Sequence, residues 1–535
     1  MRKLIESCSS ESLHLEWQLK RGDNFVEMRI RSLTLVAAIV VDFVLASSEV
    51  DKIGLLEDGP KLDSVLPSVL PPDFKDEHLH GLSYVLDEAV GKLLNVAPAN
   101  AKGTRSEFAD YALKPDASND KLAHATTQEL IVKAGFRCET HHAMADDGYI
   151  TELIRIINPL AERRKLKQPP VALFHGGFID TSIFIVESTV QHHPEQWPRV
   201  EGQMQTSSNR SLGFVLANNG YDVWLIGTRG CNRANQGHQR LNRSANSFGG
   251  RAKSATRLRV AKEYWSNHTY DDIIEKELPR QLDLVMHLSG TQRVSLVGLS
   301  NSAFMTMALL SSRPDYATKV HNYVVMAPLL SDKNSNTVAR TFYRTVCTNL
   351  NDDLGAIVFS ELLLSDSTRK FVLNSSKSEF LRYTLTKGLY EFLFGPSPRF
   401  QTLLELNVVG HLLKPFGFRT LKHLCQVLVA NKMQHFNYGP IGNKKRYGSE
   451  RPPAYDLSKM ECDNWLLVTF ENDPFSSLAD HRKLIATTPK KPFEHIYIRN
   501  ANHLDSIAMA DVDTKINLPI LRFMDTFPDG SATSA

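Results

Sequence analysis

The sequence has little net charge, few cysteines and no glycine-rich loop of the kind that cradles phosphates. Its 62 Lys and Arg residues nearly balance its 59 Asp and Glu residues, and the formal charge of +3 is small for 535 residues. This balance does not indicate a nucleic-acid surface, and no nucleic-acid partner is expected. The six cysteines form no Cys/His metal cluster. Neither a metal nor another cofactor is therefore expected.

The N-terminal apolar run is too short to cross a bilayer, which takes about 20 residues. This run, Leu33–Leu45, has the length of the hydrophobic region of a secretory signal; Arg29 and Arg31 precede it, and small residues follow it. If translation starts at Met28, the segment is a conventional signal, which predicts a secreted or lysosomal protein. The competing interpretation is a membrane-anchoring or buried helix, favoured by the charge of Asp42.

The remaining composition is that of a globular protein, with 42% hydrophobic and 23% charged residues. The length allows one large domain with insertions, or two domains. Loss of Cys8 with a signal would leave an odd number of cysteines, so at least one thiol stays unpaired. Sequons that permit glycosylation occur at Asn209, Asn242, Asn267 and Asn374.

The most informative stretch is Arg293–Ala303, a short apolar strand that runs into a tight turn at Ser300. In such a turn the residues two before and two after the serine must be small, because strand and helix pass closely there. Gly298 and Ser302 meet this requirement, and Ala303–Leu310 is a good helix former. The pattern predicts a nucleophile elbow. The alternative is a chance match in which Ser300 merely caps a helix.

A serine nucleophile predicts a histidine base and an acid that orients it, both later in the chain. Asn464–Phe470 is predicted to be a buried strand, and Asp473 lies in the loop that follows it. Glu494–Ile498 is predicted to be the next strand, and the loop after it contains His503. Placement at strand ends favours Asp473 as the acid and His503 as the base.

Other residues compete for these two roles. They are Glu471 and Asp480 for the acid, and His481 and His495 for the base. The two histidines are predicted on a helix and within a strand, which favours packing or surface roles. Asp473 also has a simpler interpretation as a turn residue, and Asp505 is expected to brace the histidine loop.

Two backbone N–H groups are needed to stabilise the oxyanion that forms when a serine attacks a carbonyl. One comes from the residue after the nucleophile, here Asn301. The other is expected from the loop after the predicted strand Pro170–Phe174, which continues as His175–Phe178. This predicts Gly177 as the second donor. The alternative is that the two glycines form an ordinary tight turn.

With these residues in place, the sequence resembles the acid lipase family of α/β-hydrolases, which contains gastric and lysosomal acid lipases and related sterol esterases. The resemblance extends from about residue 125 to 527, roughly three quarters of the chain. It rests on an ordered set of segments: Gln128–Phe136, Asp146–Ile150, Leu216–Leu225, Thr228–Gly230, Glu263–Trp265, Glu277–Pro279, Asn437–Gly439, Pro452–Asp456 and Asn502–Asp505.

The resemblance implies an α/β-hydrolase fold, with a mostly parallel central sheet flanked by helices and an inserted, mainly helical cap. It also implies roles for five residues. Ser300, Asp473 and His503 would form a catalytic triad, and Gly177 and Asn301 would form the oxyanion hole.

Three positions depart from the family pattern. Leu299 stands where many members have histidine, Ser302 replaces the last glycine of the elbow, and Gly177 replaces a usual leucine. None of the changes removes a reacting group. The change at Gly177 keeps the N–H but alters the apolar wall near the ester, so the preferred acyl-chain length stays open.

The predicted organisation has five parts. Residues 1–48 are an N-terminal extension with the signal segment, and residues 49–120 are a prosegment or linker-like region. The hydrolase core is predicted in two parts, residues 121–330 with the elbow and residues 456–535 with the acid and the histidine. Residues 331–455 interrupt the alternation of strands and helices with amphipathic stretches. This interruption predicts a cap over the site.

The expected function is a serine lipase or esterase that hydrolyses triacylglycerols or sterol esters through an acyl-enzyme. A cap suits such substrates, because long acyl chains need an apolar tunnel and a site closed to water. The expected partner is neutral lipid at a lipid–water interface, with transient contact with a membrane or lipid-droplet surface; the oligomeric state stays open. Two alternatives are a catalytically silent lipid-binding or storage protein on this fold, and an esterase for smaller, non-lipid esters. The complete set of three reacting residues argues against the silent protein.

Overall fold

The structure is a computed structural model of the chain. It describes residues 124–160, 166–186, 210–232, 234–241, 260, 262–336, 339–341, 343–344, 352, 360, 394–398 and 410–528. These residues belong to one compact unit. The predicted start at Met28, the signal segment, the prosegment and most of the predicted cap between residues 345 and 409 lie outside the described residues.

A nine-stranded sheet forms the centre of the described part of the chain, in the order β1-β2-β4-β3-β6-β7-β8-β9, with β5 paired to β2. Its strands are β1 (Arg137–Met144), β2 (Tyr149–Ile157), β3 (Lys167–Phe174), β4 (Tyr221–Ile226), β5 (Gly237–His238), β6 (Val294–Leu299), β7 (Val320–Met326), β8 (Asn464–Phe470) and β9 (Glu494–Ile498). The β1, β2 and β4 pairings are antiparallel, and the pairings from β4 to β9 are parallel. The predicted α/β class, with a mostly parallel sheet, is confirmed.

Helices cover both faces of this sheet. They are α1 (Thr127–Lys133), α2 (Leu212–Asn218), α3 (Tyr270–Asp272), α4 (Leu278–Ser289), α5 (Asn301–Ser312), α6 (Pro314–Lys319), α7 (Phe418–Ala430), α8 (Gly439–Tyr447), α9 (Leu478–Thr487), α10 (Asp505–Ala508) and α11 (Leu518–Thr526). The π-helical turns Ile273–Glu277 and Asp513–Asn517 lead into α4 and α11, and 3-10 turns occur at Thr181–Phe184, Ala234–Gln236 and Leu457–Lys459. Along β3, Ala172 and Phe174 face one apolar core, and Val171 and Leu173 face the other. Successive side chains of a strand point to opposite faces, so one strand supplies both cores.

The parallel strands end at one edge of the sheet, and the loops that follow them carry the predicted site residues. Strands predicted at Asn464–Phe470 and Glu494–Ile498 have these bounds in the structure. The predicted strand at Pro170–Phe174 is the second part of β3. Loops at the carboxyl ends of parallel strands are where ligand sites form in open α/β sheets.

Two described helices lie in the predicted cap region, α7 and α8. The apolar face of α7, which includes Leu421, Leu424 and Leu428, packs in the core that contains α5. Asp271, in α3, bonds to the part of the chain that follows α7. Its carboxylate accepts from Tyr455 Oη at 2.7 Å and from Phe436 N at 2.9 Å. Within the described ranges, no helix has the length and apolarity to cross a membrane.

Candidate active site

The turn at Ser300 has a backbone that non-glycine residues rarely adopt, with φ 63° and ψ −118°. Strand β6 ends one residue before it, and α5 begins one residue after it. A Cβ at Gly298 would lie 2.9 Å from the Cα of Ala303, so the strand and the helix cross too closely for any other residue there. The main chain is held by a hydrogen bond from Ser300 N to Met326 O of 2.9 Å. This geometry presents the serine at the tip of the elbow.

Ser302, which replaces the last glycine of the pattern, fits inside the elbow and bonds to it. Its hydroxyl oxygen accepts from Leu299 N at 2.8 Å and lies 2.5 Å from the carbonyl oxygen of Phe174, to which it donates. The side chain is fully buried. The hydroxyl thus joins the elbow to the end of β3, where the loop His175–Phe178 starts.

His503 bridges the serine and the aspartate. Its Nε2 lies 2.8 Å from Ser300 Oγ, and its Nδ1 lies 2.8 Å from Asp473 Oδ2. The other carboxylate oxygen of Asp473 accepts the backbone N–H of Phe475 at 2.8 Å. Asp473 is an acceptor, so Nδ1 carries a proton and Nε2 is left to accept the serine hydroxyl proton. All three side chains are buried.

The competing residues have other partners. Glu471 accepts the backbone N–H of Asn500 at 2.8 Å, and Asp480 caps α9 by accepting from Ser477 N at 3.0 Å. His481 Nε2 lies 2.9 Å from Ser476 Oγ, and His495 Nε2 lies 2.8 Å from Thr469 Oγ1. Asp505 accepts from Asn502 N at 2.7 Å and so braces the histidine loop. The structure brings Asp473 and His503 to the serine, and none of these alternatives.

The loop after β3 lies directly against the elbow. A Cβ at Gly176 would lie 3.0 Å from the Cβ of Ser300, and one at Gly177 would lie 3.3 Å from the side-chain nitrogen of Asn301. Among the described residues, no hydrogen bond occupies the backbone N–H of Gly177 or of Asn301. Both predicted donors therefore belong to segments that lie against the serine.

His175 holds this loop in place. Its Nδ1 lies 2.7 Å from the carbonyl oxygen of Gly176, and its Nε2 accepts the backbone N–H of Thr228 at 3.1 Å. Full burial lowers the pKa of His175, so the ring is neutral and its donor and acceptor nitrogens are fixed by these partners. His175 and Thr228 both lie in segments noted in the sequence, but no role was predicted for either residue.

Asp180 anchors the other end of the loop to the predicted cap region. Its carboxylate lies 3.2 Å from Lys414 Nζ, and the main chain of Lys414 donates to Phe178 O at 2.8 Å. Burial alone would raise the pKa of Asp180, but the Lys414 cation keeps it below its usual range. Phe178 itself has a φ of 60°, a conformation that needs such support.

Aromatic side chains lie beside His503 and beside the loop that contains Gly177. The rings of Phe475 and His503 are 4.7 Å apart in an edge-to-face arrangement, and the rings of Phe178 and Phe416 are 4.9 Å apart. These rings place apolar surface beside the hydrogen-bonded side chains of Ser300, His503 and Asp473. In the ranges that the structure covers, no group of three or more His, Cys, Asp or Glu side chains is arranged to hold a metal ion.

The chain is similar to known lipases along most of its length. Residues 127–188 match the family described as "Partial alpha/beta-hydrolase lipase region". "Lipase member K" of Mus musculus is 22% identical over 417 residues, 77% of this chain and 94% of that protein. "Lipase 1" of Drosophila melanogaster is 24% identical over 422 residues, 77% of this chain and 82% of that protein. "Gastric triacylglycerol lipase" of Mus musculus is 23% identical over 410 residues, 75% of this chain and 92% of that protein.

These similarities support the expected resemblance to the acid lipase family of α/β-hydrolases. The departures of this chain from the family pattern have local physical explanations. Leu299 is buried at the end of β6, in the apolar core. At Gly177 a Cβ would lie 3.5 Å from the ring of Phe416, so the aromatic ring stands beside the position where a larger side chain would be.

Proposed function

We propose that this protein is a carboxylic ester hydrolase, a serine lipase or esterase that acts on neutral-lipid esters, either triacylglycerols or sterol esters. The observation that carries the proposal is the pair of 2.8 Å contacts by which His503 bridges Ser300 and Asp473. Ser300 is the nucleophile, His503 the general base and acid, and Asp473 the group that holds the imidazole. Gly177 and Asn301 donate to the oxyanion.

In acylation, Ser300 Oγ attacks the carbonyl carbon of the ester, and its proton passes to Nε2 of His503. The carbonyl oxygen becomes an oxyanion that accepts the N–H groups of Gly177 and Asn301. The bond to the alcohol oxygen then breaks, and His503 returns the proton to that oxygen. In deacylation, His503 takes a proton from water, which attacks the acyl carbon, and Ser300 regains its proton as the fatty acid leaves.

Two observations support a neutral-lipid substrate. The chain is similar over about three quarters of its length to gastric triacylglycerol lipases. The ring of Phe475 lies against His503, and the rings of Phe178 and Phe416 lie beside Gly177. This apolar surface suits a long acyl chain better than a polar acyl group. The substrate is met at a lipid–water interface, with transient contact with a membrane or lipid-droplet surface.

The proposed location is outside the cell or in the lysosome, reached by the secretory route. The signal-like run Leu33–Leu45 and the similarity to gastric triacylglycerol lipases support this route. N-terminal sequencing of the protein made in eukaryotic cells tests it. A mature chain that starts after residue 48 is expected, and a cytosolic product that retains residues 1–48 contradicts the proposal.

The activity is tested with a graded series of acyl esters, from short soluble esters to emulsified long-chain triacylglycerol and cholesteryl ester. The full chain is compared with Ser300→Ala and with Ser312→Ala, a serine at the far end of the same helix. Turnover that rises with chain length, is lost in Ser300→Ala and persists in Ser312→Ala is the expected result.

Each other outcome decides a specific alternative. Turnover of short esters alone supports the esterase for smaller substrates and removes the lipid assignment. Equal, negligible turnover by folded wild-type protein and Ser300→Ala over a wide pH range rejects the enzyme and favours a lipid-binding protein.

A further inference from the structure

A four-residue segment of the predicted cap region, Phe394–Ser397, contacts the two loops that carry the acid and the histidine. Each of its residues makes a hydrogen bond to these loops. Phe394 O accepts from His503 N at 3.1 Å, Gly395 O from Asn502 Nδ2 at 2.7 Å and Pro396 O from Asn472 Nδ2 at 2.9 Å, and Ser397 Oγ donates to Asp505 Oδ2 at 2.6 Å. The partners lie next to the proposed acid, or within two residues of the proposed base.

The two loops are also bonded to each other, and the histidine loop has further bonds within itself. Asn472 N donates to Ala501 O at 2.9 Å, which joins the acid loop to the histidine loop. Asn502 N donates to Asp505 Oδ2 at 2.7 Å, and Asn502 Oδ1 accepts from Leu504 N at 3.0 Å. The segment therefore lies across a connected pair of loops, and buried groups of the histidine loop, at Asn502 and Asp505, bond to it.

Gly395 sets how closely the segment approaches. Its φ is +89°, which favours glycine, and a Cβ there would lie 1.9 Å from the carbonyl oxygen of Asn472. Any side chain at this position pushes the segment and the acid loop apart. The spacing between the segment and Asp473 is thus fixed by one glycine.

Phe394 contributes a ring as well as a carbonyl group. Its ring and the imidazole of His503 are nearly parallel, at 10° and a centroid distance of 6.1 Å. The ring of Phe475 meets the same imidazole edge-on at 4.7 Å. These two aromatic neighbours limit rotation of an imidazole that must align with Ser300 on one side and Asp473 on the other.

We propose that Phe394–Ser397 is a positioning segment, which holds the loops of Asp473 and His503 so that the imidazole stays aligned with Ser300. The inference rests on the proposed function, because the alignment matters only for a proton relay. None of the four residues is a catalytic residue. They act through the backbone and side-chain groups on either side of the acid and the base.

The test compares Gly395→Ala and Ser397→Ala with two control variants of the full chain. Gly448→Ala places a Cβ at a φ of +74° with no atom within 4 Å, so it has the backbone cost of Gly395→Ala without the contact. Ser458→Ala removes a hydroxyl that donates to Asp456 at 2.6 Å on the surface. Active sites are counted by titration with a fluorophosphonate, and kcat and KM for a soluble ester are measured from pH 4 to 9.

For Gly395→Ala, kcat per titrated site is expected to fall about 10- to 100-fold with KM within about two-fold, because a general base that is displaced loses most of its effect. The acidic limb of the pH profile of kcat is expected to move to lower pH, because the imidazolium has a weaker carboxylate contact. Ser397→Ala should show the same two changes with smaller magnitude. If Gly395→Ala does not fold, Ser397→Ala alone tests the proposal. Both controls should match the wild type.

A purely structural segment gives another result. The variants would then lower the unfolding midpoint and the titrated fraction, while kcat per site and the pH profile stay those of the controls; this outcome overturns the proposal. Failure of the proposed function is distinguishable, because the wild-type protein would then neither turn over the ester nor react with the fluorophosphonate.

Discussion

The hydroxyl of Ser302 donates to the carbonyl oxygen of Phe174 across 2.5 Å, and so joins the helix after the elbow to the strand before the loop His175–Phe178. The same oxygen accepts from Leu299 N. Replacement by alanine leaves both buried backbone groups without this partner, so we expect Ser302→Ala to lower the free energy of unfolding by about 1–3 kcal/mol. Urea unfolding measures this change. Ser312→Ala, at the exposed end of the same helix, is the control, and an equal effect of the two variants contradicts the account.

His175 gives a prediction about catalysis rather than stability. His175→Gln loses the contacts that fix Gly176 and Thr228, so the loop that contains Gly177 is no longer held against the elbow. We expect kcat to fall about 100-fold, as for loss of one oxyanion donor, with a small change in KM. Steady-state kinetics on a soluble ester checks this. His495→Gln, in a strand away from the serine, should keep kcat; an unchanged kcat in His175→Gln argues against the proposed oxyanion hole.

Arg229 and Glu277 form a buried ion pair at 2.5 Å beside Thr228, and Arg229 also contacts Asp147 at 2.8 Å. Glu277→Gln leaves the buried guanidinium with less charge compensation. We expect a loss of about 3–5 kcal/mol in the free energy of unfolding, the usual cost of removing one partner from a buried pair. Denaturant titration tests this prediction. Asp146→Asn breaks an exposed pair with Arg280 and should leave the unfolding midpoint nearly unchanged. If Glu277→Gln also leaves the midpoint unchanged, the pair of Arg229 and Glu277 does not stabilise the fold.

Buried histidines make the stability depend on pH. Burial lowers the pKa of His175, His268, His423 and His481, to about 3 for His268 and His481. The unfolded chain then binds more protons than the folded chain below the ordinary histidine pKa of about 6.5, so the free energy of unfolding falls as the pH drops from there. Each group contributes at most about 1.4 kcal/mol per pH unit. Urea unfolding at pH 7.5, 6.5, 5.5 and 4.5 tests the trend. His481→Gln should reduce the slope, and a stability that rises toward pH 5 contradicts the prediction.

The sequence predicts the α/β class and the strands around the site because their signals are local. An apolar run such as Asn464–Phe470, followed by a loop with charged residues, predicts a buried strand. Strand β8 has these bounds in the structure. The five predicted site residues follow strands that turn out to be parallel. Their side chains or N–H groups therefore meet at one edge. Their catalytic roles stay predictions.

The contacts that support the site are not encoded locally. Asn502 and Gly395 are 107 residues apart in the chain, and Lys414 lies far from Asp180. No spacing or periodicity relates such pairs. A positive φ at Gly395 is indistinguishable in the sequence from an ordinary turn glycine, because the atom that forbids a side chain there belongs to Asn472.

The central claim is that Ser300 becomes acylated with His503 as its base. The most direct measurement is peptide mapping by mass spectrometry after the full chain reacts with a fluorophosphonate, with ester turnover followed in parallel. We predict one adduct per chain, on the peptide that contains Ser300, formed as turnover is lost and strongly slowed in His503→Ala. Turnover that continues with Ser300 unmodified, or an adduct on a different residue that accounts for the lost activity, would contradict the account.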